Sequence, residues 1–322
     1  MFYQDRKVLV TGGSGFIGSH LVQALLDMGA FIRVPIRKKP IAIDNPKIEA
    51  VPGDLTNPFD CLSVMDGIDY VFHAAGATGA AGISDYQLME GITLNLVLTA
   101  NILQAAWAKG VKKILIFGSS TGYPPYNHPV KEEEMWRDEP HSSYLGYGWM
   151  RRYFEKLGEF VSRKSQCTVI IIRPSAVYGP GDNVAGNTNH VIPALIKRAM
   201  NGSPPLIVWG NGNEVRDFIH ISDFSRGCLL AMEKCLHFDS INIGAGEGVT
   251  IRQTTEIILD AIGLKRVPVI FDETKPVTIP YRALDMEKAN TLLGFSPQIS
   301  LEDGIKDMVR WYQNFSSEII SQ

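Results

Sequence analysis

The sequence predicts an α/β fold: a doubly wound parallel sheet with a smaller carboxyl-terminal lobe. Three observations predict it. A strand, a glycine turn and a helix follow one another from Val8, with Gly12, Gly15 and Gly18 at every third position. Short β-branched runs then alternate with stretches whose apolar residues recur at helical spacing, an order that crossover connections turn into a parallel sheet. A chain of 322 residues leaves room for a doubly wound domain and a cap.

Val8-Leu9-Val10-Thr11 reads as a buried strand and Ser19 to Met28 as the helix behind it. Gly12 permits a sharp turn, Gly15 lets backbone amides approach a pyrophosphate, and Gly18 lets the helix pack on its strand. The helix N-terminus offers unpaired N–H groups to the anion, with Phe16 and Ile17 among the expected cofactor-binding residues, so the stretch is a dinucleotide cradle. Phe31 to Ile36 is the second strand, and the residue just past it meets the adenosine ribose. That residue is Arg37, followed by Lys38 and Lys39. A basic cluster there favours a 2′-phosphate, so the expected cofactor is NADP (as NADPH), with NAD the less favoured dinucleotide; the alternative is a solvated charge run. A third short strand precedes Gly53-Asp54-Leu55. After a turn at Asp66-Gly67, Ile68 to Gly76 supplies a fourth strand whose small last residues, Ala74 among them, leave room for the cofactor.

Asp85 to Lys109 forms one long helix, closed by Gly110 and followed by a fifth strand at Val111 to Phe117. The chemistry is expected beyond the carboxyl ends of these strands. Ser119 follows the fifth strand, and Tyr147 and Arg151 lie one helical turn apart, on one face of a helix. The Glu132-Glu133-Glu134 run reads as solvated surface. Thr168 to Ile172 is the sixth strand. The expected division is a dinucleotide-binding domain over 1–173, with returning segments near 215–245, and a substrate-binding lobe over 174–322.

A net charge of −3 and a pI near 6.2 give no electrostatic case for nucleic acid or a membrane as partner. The mixed, polar start carries no targeting signal and no uninterrupted apolar run is long enough to span a bilayer, which predicts a cytoplasmic protein. Cys61, Cys167, Cys228 and Cys235 show neither C-x-x-C pairing nor a histidine at ligand spacing. They are expected to be reduced, mostly buried thiols, with no metal site.

The glycine turn, Ser119 and the Tyr147-x-x-x-Arg151 pair resemble the extended branch of the short-chain dehydrogenase/reductase superfamily, the NAD-dependent epimerase/dehydratase family, with its Rossmann-like fold. The resemblance implies that Asp54 and Leu55 approach the adenine, that Ser119 binds the substrate oxygen and that Tyr147 moves its proton. It also implies a basic residue at 151 that holds the nicotinamide ribose. The family keeps lysine at that position, and this chain has arginine, which retains the charge on a longer, planar group. The segments Gly118-Ser119-Ser120-Thr121-Gly122-Tyr123-Pro124 and His190-Val191-Ile192-Pro193-Ala194-Leu195 are similar to those of the GDP-L-fucose synthase family, the NADPH-dependent epimerase/reductases of a GDP-linked 4-keto-6-deoxy sugar. That resemblance implies an acid/base role for His190, paired with a residue at Thr121, where the family keeps a cysteine. It places Asn189, Trp209, Arg216 and Arg282 at the substrate, Arg216 against its diphosphate. The alternatives for His190 and Arg216 are a helix cap and a surface ion pair. The expected partner is a nucleotide sugar, GDP-linked on this resemblance, and a homodimer is expected through a four-helix contact. Plain 4-keto reduction needs only Ser119, Tyr147 and a hydride. The rival readings are an NAD-dependent nucleotide-sugar 4-epimerase and a dinucleotide-binding homologue in which Arg151 marks impaired catalysis.

Overall fold

In the computed structural model, which describes residues 1–77, 84–182, 190–275 and 277–320, the first strand lies inside a seven-stranded parallel sheet. The first half runs β1 (Lys7–Thr11), α1 (Phe16–Asp27), β2 (Phe31–Ile36), β3 (Ile48–Pro52), α2 (Pro58–Val64), β4 (Tyr70–His73), α3 (Asp85–Ala108), β5 (Lys113–Phe117), α4 (Leu145–Lys164) and β6 (Thr168–Pro174). The second half runs β7 (Ala176–Tyr178), α5 (Val191–Asn201), β8 (Leu206–Trp209), β9 (Val215–Arg216), β10 (Phe218–His220), α6 (Ile221–Lys234), β11 (Asp239–Ile243) and β12 (Val249–Thr250). It continues through α7 (Ile251–Ile262), β13 (Val269–Asp272), β14 (Tyr281–Arg282), α8 (Glu287–Leu293) and α9 (Leu301–Ile320).

The sheet order is β11-β6-β5-β4-β1-β2-β3. The chain leaves β1 to one side through β2 and β3, then returns to its other side with β4, so the strand order reverses between β1 and β4. Both faces of the sheet are covered. Val8, Val10, Ile170 and Ile172 pack on the layer that holds Leu21, Leu25 and Phe224 of α1 and α6, while Leu9, Val169 and Ile171 pack with Leu98, Ile102 and Val161 of α3 and α4. This two-residue alternation between two buried layers is why the strands read as continuous apolar runs.

The smaller lobe gathers α5, α7, α9 and the parallel β8–β13 pair around Ile192, Leu195, Ile258 and Met308. Between 215 and 243 the chain passes from lobe to sheet: β9 pairs with β12 and β14, β10 with β7, and β11 adds to the sheet edge on β6.

Three expectations need correction. Helix α1 opens at Phe16 rather than Ser19, because Gly15 itself is the N-cap and no side chain occupies that end. The Glu132–Glu134 run is not solvated: Glu132 and Glu134 are buried, the first accepting from the Asn242 amide at 2.9 Å, the second from the Lys131 amide at 2.8 Å. Helix α3 is long and apolar enough, by length and composition, to cross a bilayer. Here it packs against α2, α4 and the sheet, with Asn95 and Thr99 buried.

Candidate active site

The strand reversal between β1 and β4 opens a cleft of about 360 Å³ outside the carboxyl ends of the strands. In an open α/β sheet this crevice is where ligands bind. On one side stand Phe16 and Ile17 at the start of α1; on the other, Ser119, Tyr147 and Arg151; His190 and Arg216 line it from the lobe. Ala74 and Ala75 form part of its wall.

The glycine turn fits a dinucleotide. A side chain at Gly12 or Gly18 would collide with backbone, Gly18 with the Gly12 carbonyl oxygen at 2.1 Å, so the turn itself excludes residues there. Gly15 differs: an added Cβ would meet only the Gly12 oxygen, at 3.2 Å, and the residue is exposed. Its bareness leaves room above the uncapped start of α1, whose first turn carries no acidic residue and whose free N–H groups suit an anion. The Ser14 hydroxyl donates to the Lys39 carbonyl at 2.9 Å, drawing the basic loop after β2 against this turn. Arg37 is half-exposed and 4.0 Å from Asp54, whose carboxyl is held below the usual carboxylate range chiefly by the Thr56 amide and hydroxyl. Leu55 is buried beside it, its carbonyl held by Asn101.

His73 ends β4 opposite Thr11 and is fully enclosed. The Ala75 amide donates to the Thr11 hydroxyl at 3.1 Å, which reaches the His73 Nδ1 at 2.8 Å, while Nε2 meets the Thr99 hydroxyl at 3.3 Å. Burial, aided by the Arg151 charge, pushes the ring down to about 3, so it is neutral and serves as a fixed spacer under the cleft. Nothing in its spacing to Ser119 or Tyr147 marked it beforehand; its signal is a polar residue at the end of an apolar strand.

Ser119 caps a short 3₁₀ turn at Ser120–Gly122, and its Oγ accepts from the Thr121 amide at 3.1 Å and lies 2.8 Å from the Thr121 hydroxyl. Helix α4 closes on that turn. Gly148 is bare because a Cβ there would meet the Thr121 carbonyl oxygen at 2.8 Å, and Arg152 Nε donates to the Gly122 carbonyl at 2.8 Å. These two contacts, which sequence spacing does not reveal, carry Tyr147 to the same cleft as Ser119. Arg151 Nη2 donates to the Tyr147 Oη at 2.6 Å and Nη1 to the Phe117 carbonyl at 2.7 Å. Its Nε is buried without a partner among the described residues, a donor placed where a cofactor hydroxyl would satisfy it.

His190 stands just before α5 but does not cap it with its side chain. Its Nδ1 lies 3.0 Å from both carboxylate oxygens of Asp182, a buried residue that sequence reading missed although it closes the Gly179-Pro180-Gly181 turn. This hydrogen bond raises the pKa of His190 above the usual imidazole value. Arg216 forms no surface ion pair: it donates to the Val215 carbonyl at 2.8 Å and the Thr278 hydroxyl at 3.4 Å, and no carboxylate pairs with it among the described residues. Desolvation lowers its pKa, the condition of a cation waiting for an anion. Two expected substrate residues fall elsewhere. Arg282 is buried under the Tyr123 and Pro124 carbonyls, at 3.2 Å each, and Trp209 is exposed on β8 beneath Arg198. Neither lines the cleft. Asn189 lies outside the described residues.

The sequence profile of the NAD dependent epimerase/dehydratase family matches residues 8–244. A putative GDP-L-fucose synthase 2 of Arabidopsis thaliana is 29% identical over 319 residues, 97% of this chain and 93% of that protein. A dTDP-4-dehydro-6-deoxy-D-allose reductase from a Streptomyces species is 28% identical, covering 97% of each. The structure is similar to that of a UDP-glucose 4-epimerase from Thermotoga maritima with UDP-glucose, at a TM-score of 0.85 and 27% identity over 96% of this chain and 99% of that one.

Proposed function

We propose a reaction from one premise: the chain belongs to the NAD-dependent epimerase/dehydratase family, as an NAD(P)-dependent enzyme of the nucleotide-sugar epimerase/reductase kind. Within that kind, our reading is the NADPH-dependent reduction of a 4-keto-6-deoxy nucleotide sugar, GDP-linked by resemblance. The observation that carries it is the state of Thr121, whose hydroxyl bonds Ser119.

When bound, the cofactor supplies a hydride to the carbonyl carbon. Ser119 orients the carbonyl oxygen, and Tyr147 gives it a proton. Arg216, uncompensated in the cleft, suits the substrate diphosphate through a bidentate fork. Arg37 and its neighbouring lysines support NADPH over NADH. Double inversion beside the ketone needs two ionisable groups on opposite faces of the sugar. His190, oriented by Asp182, supplies one. Thr121 does not ionise near neutral pH and is already bonded to Ser119, so no partner stands where the resemblance implies a thiol.

The test is incubation with the 4-keto nucleotide sugar in deuterated buffer, reading deuterium beside the ketone by NMR before and after NADPH is added. The expected outcome is reduction with little exchange, and exchange at one carbon only where it occurs. Rapid incorporation at both flanking carbons would overturn the reductase reading. A second reading, an NAD-dependent 4-epimerase, draws support from the likeness to the Thermotoga enzyme. It predicts NAD retained through purification, whereas the reductase consumes NADPH stoichiometrically.

A further inference from the structure

We infer that Thr121 is a positioning residue: its hydroxyl donates to Ser119, fills the second lone pair of that oxygen, and so leaves the single Ser119 hydrogen to the substrate carbonyl. The inference rests on the reduction proposed above for its substrate and on the hydrogen bonds of the chain for its mechanism.

A serine hydroxyl has one hydrogen to give and two lone pairs with which to accept. The Ser119 oxygen has two partners among the described residues, the Thr121 amide at 3.1 Å and the Thr121 hydroxyl at 2.8 Å. The amide can only donate, so it takes the first lone pair. Either oxygen of the hydroxyl pair can be the donor in the free protein, and the substrate decides between them. A ketone oxygen accepts and never donates, so Ser119 binds it only with its own hydrogen. Thr121 must then be the donor of the hydroxyl pair, and both Ser119 lone pairs are occupied. The one tetrahedral direction left on the oxygen is that of its hydrogen, which is held in place rather than free to turn. Negative charge develops on the carbonyl oxygen during reduction, and a donor already aimed at it needs no reorganisation at that moment.

Thr121 is placed for this role and not for contact with the sugar. Ser119 lines the cleft and Thr121 does not. The turn that carries Thr121 is pinned on several sides. Its carbonyl oxygen lies 2.8 Å from where a Cβ at Gly148 of α4 would sit, and the Gly122 carbonyl accepts from Arg152 Nε at 2.8 Å. A Cβ at Gly122 would meet the Met135 sulfur at 2.8 Å, so the backbone that aims the Thr121 side chain has no room to shift. Cysteine, which the resemblance implies at this position, offers only a weak S–H donor. Threonine in its place removes an ionisable group and gives Ser119 a stronger donor.

The test is a double-mutant cycle on the full-length protein, with Thr121→Val, Ser119→Ala and the two combined, and with Thr121→Ser as the conservative variant. Turnover of a 4-keto-6-deoxy nucleotide sugar with NADPH is measured beside NADPH affinity by calorimetry. Carbon-13 NMR reads the labelled ketone carbon of the sugar bound together with NADP, a complex with no hydride to transfer. Thr121→Val is expected to lose at least tenfold in kcat with KM changed less than threefold, and Thr121→Ser to keep at least a third of the wild-type kcat. In the Ser119→Ala background, Thr121→Val should lose less than twofold, because no Ser119 hydroxyl remains to be held. NADPH affinity should stay within twofold throughout. The bound ketone resonance should move upfield in Ser119→Ala and in Thr121→Val, return in Thr121→Ser, and move no further in the double variant than in Ser119→Ala. A tenfold loss from Thr121→Val in the Ser119→Ala background would mark a general structural effect and overturn the inference. Wild-type kcat in Thr121→Val, or a ketone resonance that it leaves unmoved, would overturn it equally. Absence of wild-type turnover with the ketone bound would overturn the proposed reaction alone, the resonance still deciding the role of Thr121; a ketone that neither reacts nor binds would overturn both.

Discussion

His73 shows what a single residue contributes beneath the cleft. Its ring is fully buried and neutral, with a pKa pushed down to about 3, whereas an unfolded histidine titrates near 6.5. Below pH 6.5 the unfolded chain therefore binds a proton that the folded chain refuses, and stability falls with pH until about 3, by about 1.4 kcal/mol per unit from this group. Urea unfolding at pH 6.5 and 5 should show the wild type losing about 2 kcal/mol more than His73→Asn over that interval. Parallel losses would remove His73 from the account. Residues of this kind mark the limit of sequence reading. Ser119, Tyr147 and Arg151 were legible through the family resemblance, which rests on a residue at a strand end and on two residues one helical turn apart. Asp182, His73 and Gly148 were not, because each is defined by a partner brought in by the fold, as Glu132 is by Asn242, 110 residues away.

Among the elements, α3 and α4 carry the clearest unexplained surface. They pack side by side, Trp107 against Phe160 with ring centroids 6.1 Å apart. Their outer faces expose Tyr86, Met89 and Val97 on α3, and Trp149 and Tyr153 on α4. We propose that these faces pair with their copies about a two-fold axis, giving a four-helix contact. Sedimentation at micromolar concentration should then report twice the 35.6 kDa chain mass, and Tyr153→Glu should shift it toward one. A wild-type monomer would contradict the pairing. The span of α3 was legible from helical periodicity, whereas α4 was marked only by the single turn between Tyr147 and Arg151. The start of α1 was not legible, since Gly15 takes the place of a side-chain cap.

At the scale of the molecule, the alternation of strand and helix was readable because the central strands β1, β4, β5 and β6 are buried on both faces while the helices between them are buried on one. The lobe was less readable: its strands are short and its returning segments interleave with the sheet, so Arg282 and Trp209, near the expected substrate in sequence, end beneath Tyr123 and on an outer strand. What the whole fold does bring together is the glycine turn, the Ser119–Tyr147 pair and the Asp182–His190 pair around one cleft at the strand reversal. The central claim is that this cleft passes a hydride from NADPH to a sugar ketone. It is tested most directly with NADPH deuterated at the transferable position of the nicotinamide and a 4-keto-6-deoxy nucleotide sugar, followed by NMR of the sugar. The account predicts one deuterium at the former carbonyl carbon for each NADPH consumed, and none with Tyr147→Phe. Epimerised sugar without label, formed while NADPH remains unconsumed and NAD stays bound to the protein, would contradict it.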